Sequence, residues 1–421
     1  MKTKAVRLYG KNDLRLEEFE LPAIGDNEIL AHIISDSICM SSYKATVQGS
    51  DHKRVPKDID VNPVIIGHEF CGEIVEVGAK WRSRFKSGDR FSIQPALNKK
   101  DDPYAAPGYT FRYIGGAATY IVIPNDVMEA GCLLPYNGDA FFMGSLSEPI
   151  SCIAGTFHAH YHTDKGSYEH RMGIVEGGNM ALLAGAGPMG LGAVDYAIHC
   201  DRRPKLLVVT DIDNARLERA ASIYTPEEAA KNGVKLVYLN TADPERGVEY
   251  VMGLTGGKGY DDVMAFAPVK PVVEFGDRIL AYDGCLNFFA GPSNTAFSAE
   301  LNFYNVHYNS THVVGTSGGN TADMLESLDM MTSGRLNAAS MITHVGGLNC
   351  VVETTMNLPK IPGGKKLIYT NIDLELTAIS DFEAKGAGNP MFAALADIVG
   401  RNNGLWNGEA EKYLLDHAKK I

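Results

Sequence analysis

Residues Met180–Gly190 read MALLAGAGPMG, and this stretch decides the fold. Met180 to Ala184 is a five-residue apolar run with the length of a buried strand, and Met189 to Cys200 carries a helical pattern. Between them Gly185, Gly187 and Gly190 form a GxGxxG turn, with Pro188 and Met189 inside it. A glycine triplet alone is as readily a tight structural turn as a ligand site. Its context decides: the next apolar run, Lys205 to Thr210, leads to Asp211, 21 residues beyond Gly190. That is dinucleotide-binding spacing, in which glycines let the backbone approach a pyrophosphate at a helix N-terminus and the acid reaches the ribose hydroxyls. A carboxylate at 211 repels a 2′-phosphate and favours NAD(H). Arg216 and Arg219 lie downstream and keep NADP(H) open; the competing reading of Asp211 is a helix N-cap.

Outward from this turn the alternation continues, with a helix at Asn214 to Ile223, strands at Leu236 to Leu239, Asp261 to Phe266 and Cys285 to Ala290, and a helix from Pro271 to Leu280. Such alternation builds a doubly wound parallel sheet. Before it, short β-branched or aromatic runs at Ala5 to Leu8, Glu28 to Ile34, Gly72 to Gly78, Asp89 to Ile93 and Thr119 to Ile123 read as an irregular β domain. Asn98 to Gly116 reads as a long surface loop, and Tyr161 to Gly178 as an inserted hairpin or loop. Strand signals return at Met341 to Val345 and Lys366 to Tyr369, and Gly408 to Lys420 reads as a charged helix. The expectation is an α/β protein. Residues 1–156 and 341–421 form a mostly β domain interrupted by a nucleotide-binding domain at 157–340.

Composition narrows the class. The 421 residues are 45% hydrophobic with a formal charge of −12, which disfavours nucleic acid or an anionic membrane as partner. No apolar run approaches a membrane span and the N-terminus lacks a signal-peptide core. Seven scattered cysteines without a CxxC pair speak against a disulfide framework, so a cytoplasmic protein is expected.

A second constellation carries the chemistry. Residues Gly67–Gly78 read GHEFCGEIVEVG, placing His68 and Glu69 side by side after an apolar strand; Cys39 lies in SICMSS and Glu148 in SEPISC. Singly, each is as well explained as a core or surface residue. Together, thiolate, imidazole and carboxylate make a tetrahedral zinc set with one position left for water or substrate.

The ordered combination of the upstream Cys, GHExxG, Gly88-Asp89-Arg90, Glu-Pro and GxGxxG resembles the zinc-containing medium-chain dehydrogenase/reductase family over Met1 to Tyr369. Within it the chain looks most like the sorbitol-dehydrogenase-like sugar and polyol enzymes, and its length and insertions resemble the L-sorbose 1-phosphate reductase branch. The resemblance implies a GroES-like catalytic domain, a Rossmann cofactor domain and a homodimer or homotetramer. Cys39 and His68 fall at direct ligand positions, and Glu69 and Glu148 at acidic positions around the metal, one or both ligating directly or through water; Glu69 also counts with the catalytic residues. Ser41 falls where the family places the hydroxyl of a proton relay, and Lys44 where some members carry a relay histidine.

Three departures stand out. Ser42 replaces the Asp that often follows the relay hydroxyl, so support of the zinc ligands is expected from elsewhere. No cysteine occurs from Gly72 to Gly131, so one catalytic Zn²⁺ and no structural zinc is expected. The loop from Asn98 to Gly116 is unlike the family's, so no substrate contact is carried through it.

The implied activity is zinc-assisted, NAD(P)-linked interconversion of a ketose phosphate and a polyol phosphate, with L-sorbose 1-phosphate to D-glucitol 6-phosphate foremost. The alternatives are an unphosphorylated polyol or amino-alcohol dehydrogenase, or a non-catalytic nucleotide-binding relative. A phosphate needs local basic residues in this acidic chain, and Arg112, Lys44, Lys53 and Arg54 are nominated. His158, His160, His162 and His170 cluster in or beside the 161–178 insertion. A second metal site is conceivable there, but the favoured reading is a polar surface loop, because the histidines lack the acid or thiol partners that a closed site wants.

Overall fold

The computed structural model describes all 421 residues, which divide into two compact units. One comprises Met1–Pro149, Asn320–Gly334 and Ala338–Ile421; the other comprises Ile150–Gly319 and Arg335–Asn337.

The first unit is built on an eight-stranded sheet, mostly antiparallel, centred on the strand Ile29–Ile38, which pairs with Phe70–Val77, Tyr120–Ile123 and Lys365–Tyr369. Nine of that strand's ten residues are buried, as a strand covered on both faces requires. Ile29, Ile33, Ile74, Phe91, Ile93, Ile121 and Ile123 meet in one apolar core. A smaller antiparallel sheet joins Lys2–Gly10 to Asp13–Glu20 and Val64–Ile65.

These strands deliver the site residues. Ile29–Ile38 ends at Cys39, the N-cap of the helix Met40–Gln48, which presents Ser41, Ser42 and Lys44. Val64–Ile65 is followed by Gly67 at φ +95°, where a Cβ would lie 2.6 Å from Asp36 Oδ2. Only glycine turns the chain there, and the turn delivers His68 and Glu69 to the head of Phe70–Val77. Glu148 rides on the helix Phe141–Ala159, which also contains Pro149. The first N–H groups of that helix, from Phe141 and Phe142, donate to the two carboxylate oxygens of buried Glu411 at 2.6 and 2.8 Å. A side chain from the C-terminal helix Gly408–His417 thus satisfies donors that a helix start leaves orphaned.

The second unit holds a six-stranded parallel sheet in the order Lys235–Asn240, Leu206–Asp211, Asn179–Leu183, Tyr260–Ala265, Leu280–Phe288, His312–Gly315. The strand order reverses beside Asn179–Leu183, the switch point at which such sheets bind nucleotides. The expected helices are Pro188–His199, Asn214–Ile223 and Lys270–Arg278. The insertion forms a short hairpin, Tyr161–Thr163 against His170–Met172.

The histidine cluster departs from expectation. His158 and His170 are exposed, but His160 and His162 are buried at 0% and 4% exposure, against Asp262. The carboxylate they meet is not the neighbouring Asp164 or Glu169 but comes from a strand about a hundred residues downstream. No helix is long and apolar enough to cross a membrane.

Candidate active site

Cys39, His68 and Glu69 converge, with one donor atom from each lying within 4.8 Å of the others. Burial drives the Cys39 thiol up, and Glu69 and Glu148 push the same way against Lys365, so that it reaches about 12. Burial drives His68 down to about 4, which keeps its imidazole neutral with a lone pair available. A buried thiol flanked by carboxylates and a neutral imidazole are donors whose metal-binding forms a divalent cation stabilises. On that donor chemistry the residues fit zinc.

Glu69 is engaged on both oxygens. Lys365 Nζ donates to Oε1 and Ser37 Oγ to Oε2. Its side chain is 1% exposed and that of Lys365 7%, making this a buried ion pair. Burial opposes the charge on Glu69, and Lys365, with His68 and Ser37, outweighs it, so the carboxyl stays below its usual range. Glu148 is half-buried and shares this field, acting on Cys39, Tyr109 and Lys365.

Hydroxyl groups surround the ligands. Ser41 Oγ donates to Cys39 Sγ at 2.9 Å and lies 3.3 Å from His68 Nε2. Ser42, in the place of the family's Asp, has its Oγ 3.3 Å from His68 Nδ1 and so contacts the imidazole as well. Tyr109, from the unassigned loop, places its hydroxyl 3.4 Å from His68 Nε2 and its ring 4.8 Å from the imidazole. That ring also stacks on His52 at 5.7 Å, and the Arg54 guanidinium sits 5.5 Å from its centroid. Burial lowers the His52 pKa, and Arg54, Lys53 and Lys44 lower it further, so these four groups form one basic cluster. Arg112 stands apart, exposed and over Tyr113.

The sequence motifs did not reveal Tyr109, Ser37 or Lys365. Lys365 lies 296 residues from its partner, and only a basic residue on a late strand hinted at it.

The second unit has its own site. A cavity of about 730 Å³ is lined by Gly187, Pro188, Met189, Gly190, Asp211 and Arg216, among others. A Cβ on Gly190 would fall 2.0 Å from the Gly185 carbonyl oxygen, so this glycine lets the helix pack on the turn. A Cβ on Gly187 would meet no protein atom within 4 Å, which leaves that face free for a ligand. Asp211 ends its strand and accepts N–H bonds from Ala186, Ile212 and Asp213, whereas Asp213 caps the following helix. The N-cap reading of Asp211 is therefore displaced. These residues fit a dinucleotide, with an open glycine at a helix N-terminus and a fixed carboxylate at the next strand end.

Comparison with known proteins identifies the family. The alcohol dehydrogenase GroES-like domain family matches residues 25–131, and the zinc-binding dehydrogenase family matches residues 188–333. A mannitol-1-phosphate 5-dehydrogenase of Aliivibrio fischeri is 51% identical over 98% of this chain and 97% of its own. This chain belongs to the zinc-binding alcohol dehydrogenase family. An L-sorbose 1-phosphate reductase of Klebsiella pneumoniae is 49% identical to the enzyme, over 100% of this chain and 98% of its own. The crystal structure of 2R,3R-butanediol dehydrogenase from Bacillus subtilis superposes with a TM-score of 0.70 at 20% identity, covering 88% of this chain and 100% of that one. That likeness confirms the fold: GroES-like and Rossmann parts in one α/β enzyme.

Proposed function

We propose that the enzyme interconverts a ketose phosphate and a polyol phosphate, L-sorbose 1-phosphate and D-glucitol 6-phosphate being the foremost pair. One observation carries this reading: the Tyr109 ring, stacked on His52 and tilted against His68, joins a basic cluster to the proposed metal-ligand imidazole. A phosphate held by Arg54, His52 and Lys44 would lie beside Tyr109, with the reacting end of a short chain directed to His68. The names of the two relatives near 50% identity support the same substrate class.

Cys39, His68 and Glu148 are the proposed zinc ligands. Glu69, held by Lys365 and Ser37, balances charge behind them. Zinc bound there would supply Lewis acidity to the carbonyl, and a nicotinamide nucleotide the hydride. The chain's own residues handle the proton. Ser41 Oγ, beside Cys39 and His68, interacts with the Tyr109 hydroxyl. Burial raises the Tyr109 pKa well above its usual value, so that hydroxyl remains a neutral donor at physiological pH. The relay accordingly runs from Ser41 to Tyr109, and Lys44 belongs with the phosphate cluster. Asp211 favours NAD(H) over NADP(H), while Arg216 is engaged with Asp213.

The test is NADH oxidation with L-sorbose 1-phosphate against L-sorbose, and with mannitol 1-phosphate against mannitol in reverse. Two charge-assisted phosphate contacts at about 1.5–3 kcal/mol each predict at least a roughly 100-fold higher kcat/KM for the phosphorylated compounds. Equal values would discard the phosphate reading and leave a plain polyol dehydrogenase.

A further inference from the structure

The buried histidine cluster of the second unit has the makings of a metal site of its own. His160 Nδ1 lies 2.6 Å and His162 Nε2 3.0 Å from the same atom, Asp262 Oδ1. The side chains are 0%, 5% and 2% exposed. One donor atom from each lies within 4.8 Å of the others, the convergence also shown by Cys39, His68 and Glu69.

The far side of the cluster is fixed. His162 Nδ1 faces the Asp283 carbonyl at 3.0 Å, so that nitrogen carries the proton. Asp262 Oδ2 accepts from the Val175 N–H at 2.9 Å. The remaining polar neighbour of the His160 ring is the Cys285 thiol, which interacts with it. Burial opposes charge on the two imidazoles, and their hydrogen bonds to Asp262 outweigh it, so both titrate above the usual histidine range and donate to the same Oδ1. A divalent cation among the three facing atoms would take the place of those two shared protons. Outer ring nitrogens and carboxylate oxygens held by neighbouring groups are also how metal ligands are oriented.

The placement indicates the role. Asp262 pairs with Met180 and Cys285, near the residues at which the parallel strands enter the sheet. The nucleotide-site residues Gly185 to Gly190 follow the other end of Asn179–Leu183. His162 belongs to the inserted hairpin, and Thr163 donates from both its N–H and its hydroxyl to Asp283.

We propose that His160, His162 and Asp262 bind a divalent transition-metal ion, zinc by its ligand type and tetrahedral geometry, which clamps the 161–172 hairpin to the sheet. Two imidazoles and a carboxylate supply three positions, and water takes the fourth. The site is distinct from the cysteine-rich lobe whose absence the sequence indicated.

Full-length enzyme, grown with zinc and purified without chelator or histidine tag, tests this by elemental analysis of the wild type and of Cys39→Ser, which leaves the cluster untouched. Two equivalents per chain falling to one in Cys39→Ser are expected. One equivalent in both proteins would also support the clamp while removing the catalytic zinc of the proposed function. One falling to none, or none in the wild type, would overturn the clamp. Asp262→Asn in the Cys39→Ser background keeps the side-chain shape and should abolish the remaining equivalent; retention of that metal in the folded variant would equally overturn the assignment.

Discussion

Lys365→Met should expose the weight carried by the ion pair behind the metal ligands. Glu69 is 1% exposed and would keep only Ser37 as a side-chain partner. Stranding a buried charge costs about 3–5 kcal/mol. Protonation caps that cost. Taking up a proton at pH 7, against the ordinary glutamate value near 4.3 and at about 1.36 kcal/mol per pH unit, costs about 3.7 kcal/mol. The deficit should therefore sit near 3–4 kcal/mol at pH 7 and shrink to about 1 kcal/mol at pH 5, plus any loss from the missing hydrogen bond. The wild type behaves oppositely. Its Glu69 is held below the ordinary range, so the pair's contribution is present above about pH 4.5 and is lost as the pH falls further. Both tryptophans, Trp81 and Trp406, lie in the unit that contains the pair, so tryptophan fluorescence during urea unfolding of the zinc-free protein reports that unit. Glu69→Gln combined with Lys365→Met should recover much of the loss. A deficit below about 1 kcal/mol at pH 7, or one that does not change with pH, would refute the reasoning.

Further expectations follow from individual contacts. Arg54→Met should raise KM for the phosphorylated substrate roughly 10- to 100-fold with kcat little changed, and leave the unphosphorylated analogue unaffected, as steady-state kinetics would show. Gly187→Ala should fold normally yet weaken nucleotide binding, measured by NADH fluorescence titration. Gly190→Ala should instead lower the melting temperature, because its Cβ would fall 2.0 Å from the Gly185 carbonyl oxygen. Asp211→Ala should narrow the preference for NADH over NADPH, read as the ratio of their kcat/KM values. Glu411→Ala strands the Phe141 and Phe142 N–H groups and the Tyr369 hydroxyl, and should cost about 2–4 kcal/mol in urea unfolding.

The parts legible in the sequence were those governed by local rules. The strand at 179–183, the helix after Gly187 and Asp211 at the next strand end all follow from hydrophobic period and glycine placement. The helix Phe141–Ala159 carries little local signal, because Gly144, Pro149 and Gly155 interrupt its pattern and its start is held by a carboxylate from near the C-terminus. The metal ligands were visible as residue types, but their surroundings were not. Ser42 looked like a lost carboxylate and proves to reach His68 itself, and Tyr109 comes from a loop with no motif. Asp262 meets His160 from 102 residues away, and Lys365 meets Glu69 from 296. Contacts at such separations are settled by the sheet that assembles them, which no local pattern encodes.

Anomalous diffraction across the zinc absorption edge, on crystals of the full-length enzyme, bears most directly on the catalytic assignment. A peak about 2.3 Å from Cys39 Sγ and about 2.0–2.1 Å from a His68 nitrogen, with a Glu148 oxygen completing the protein ligands and Glu69 still on Lys365, is the predicted result. No anomalous density between Cys39 and His68 in crystals grown with zinc would contradict it.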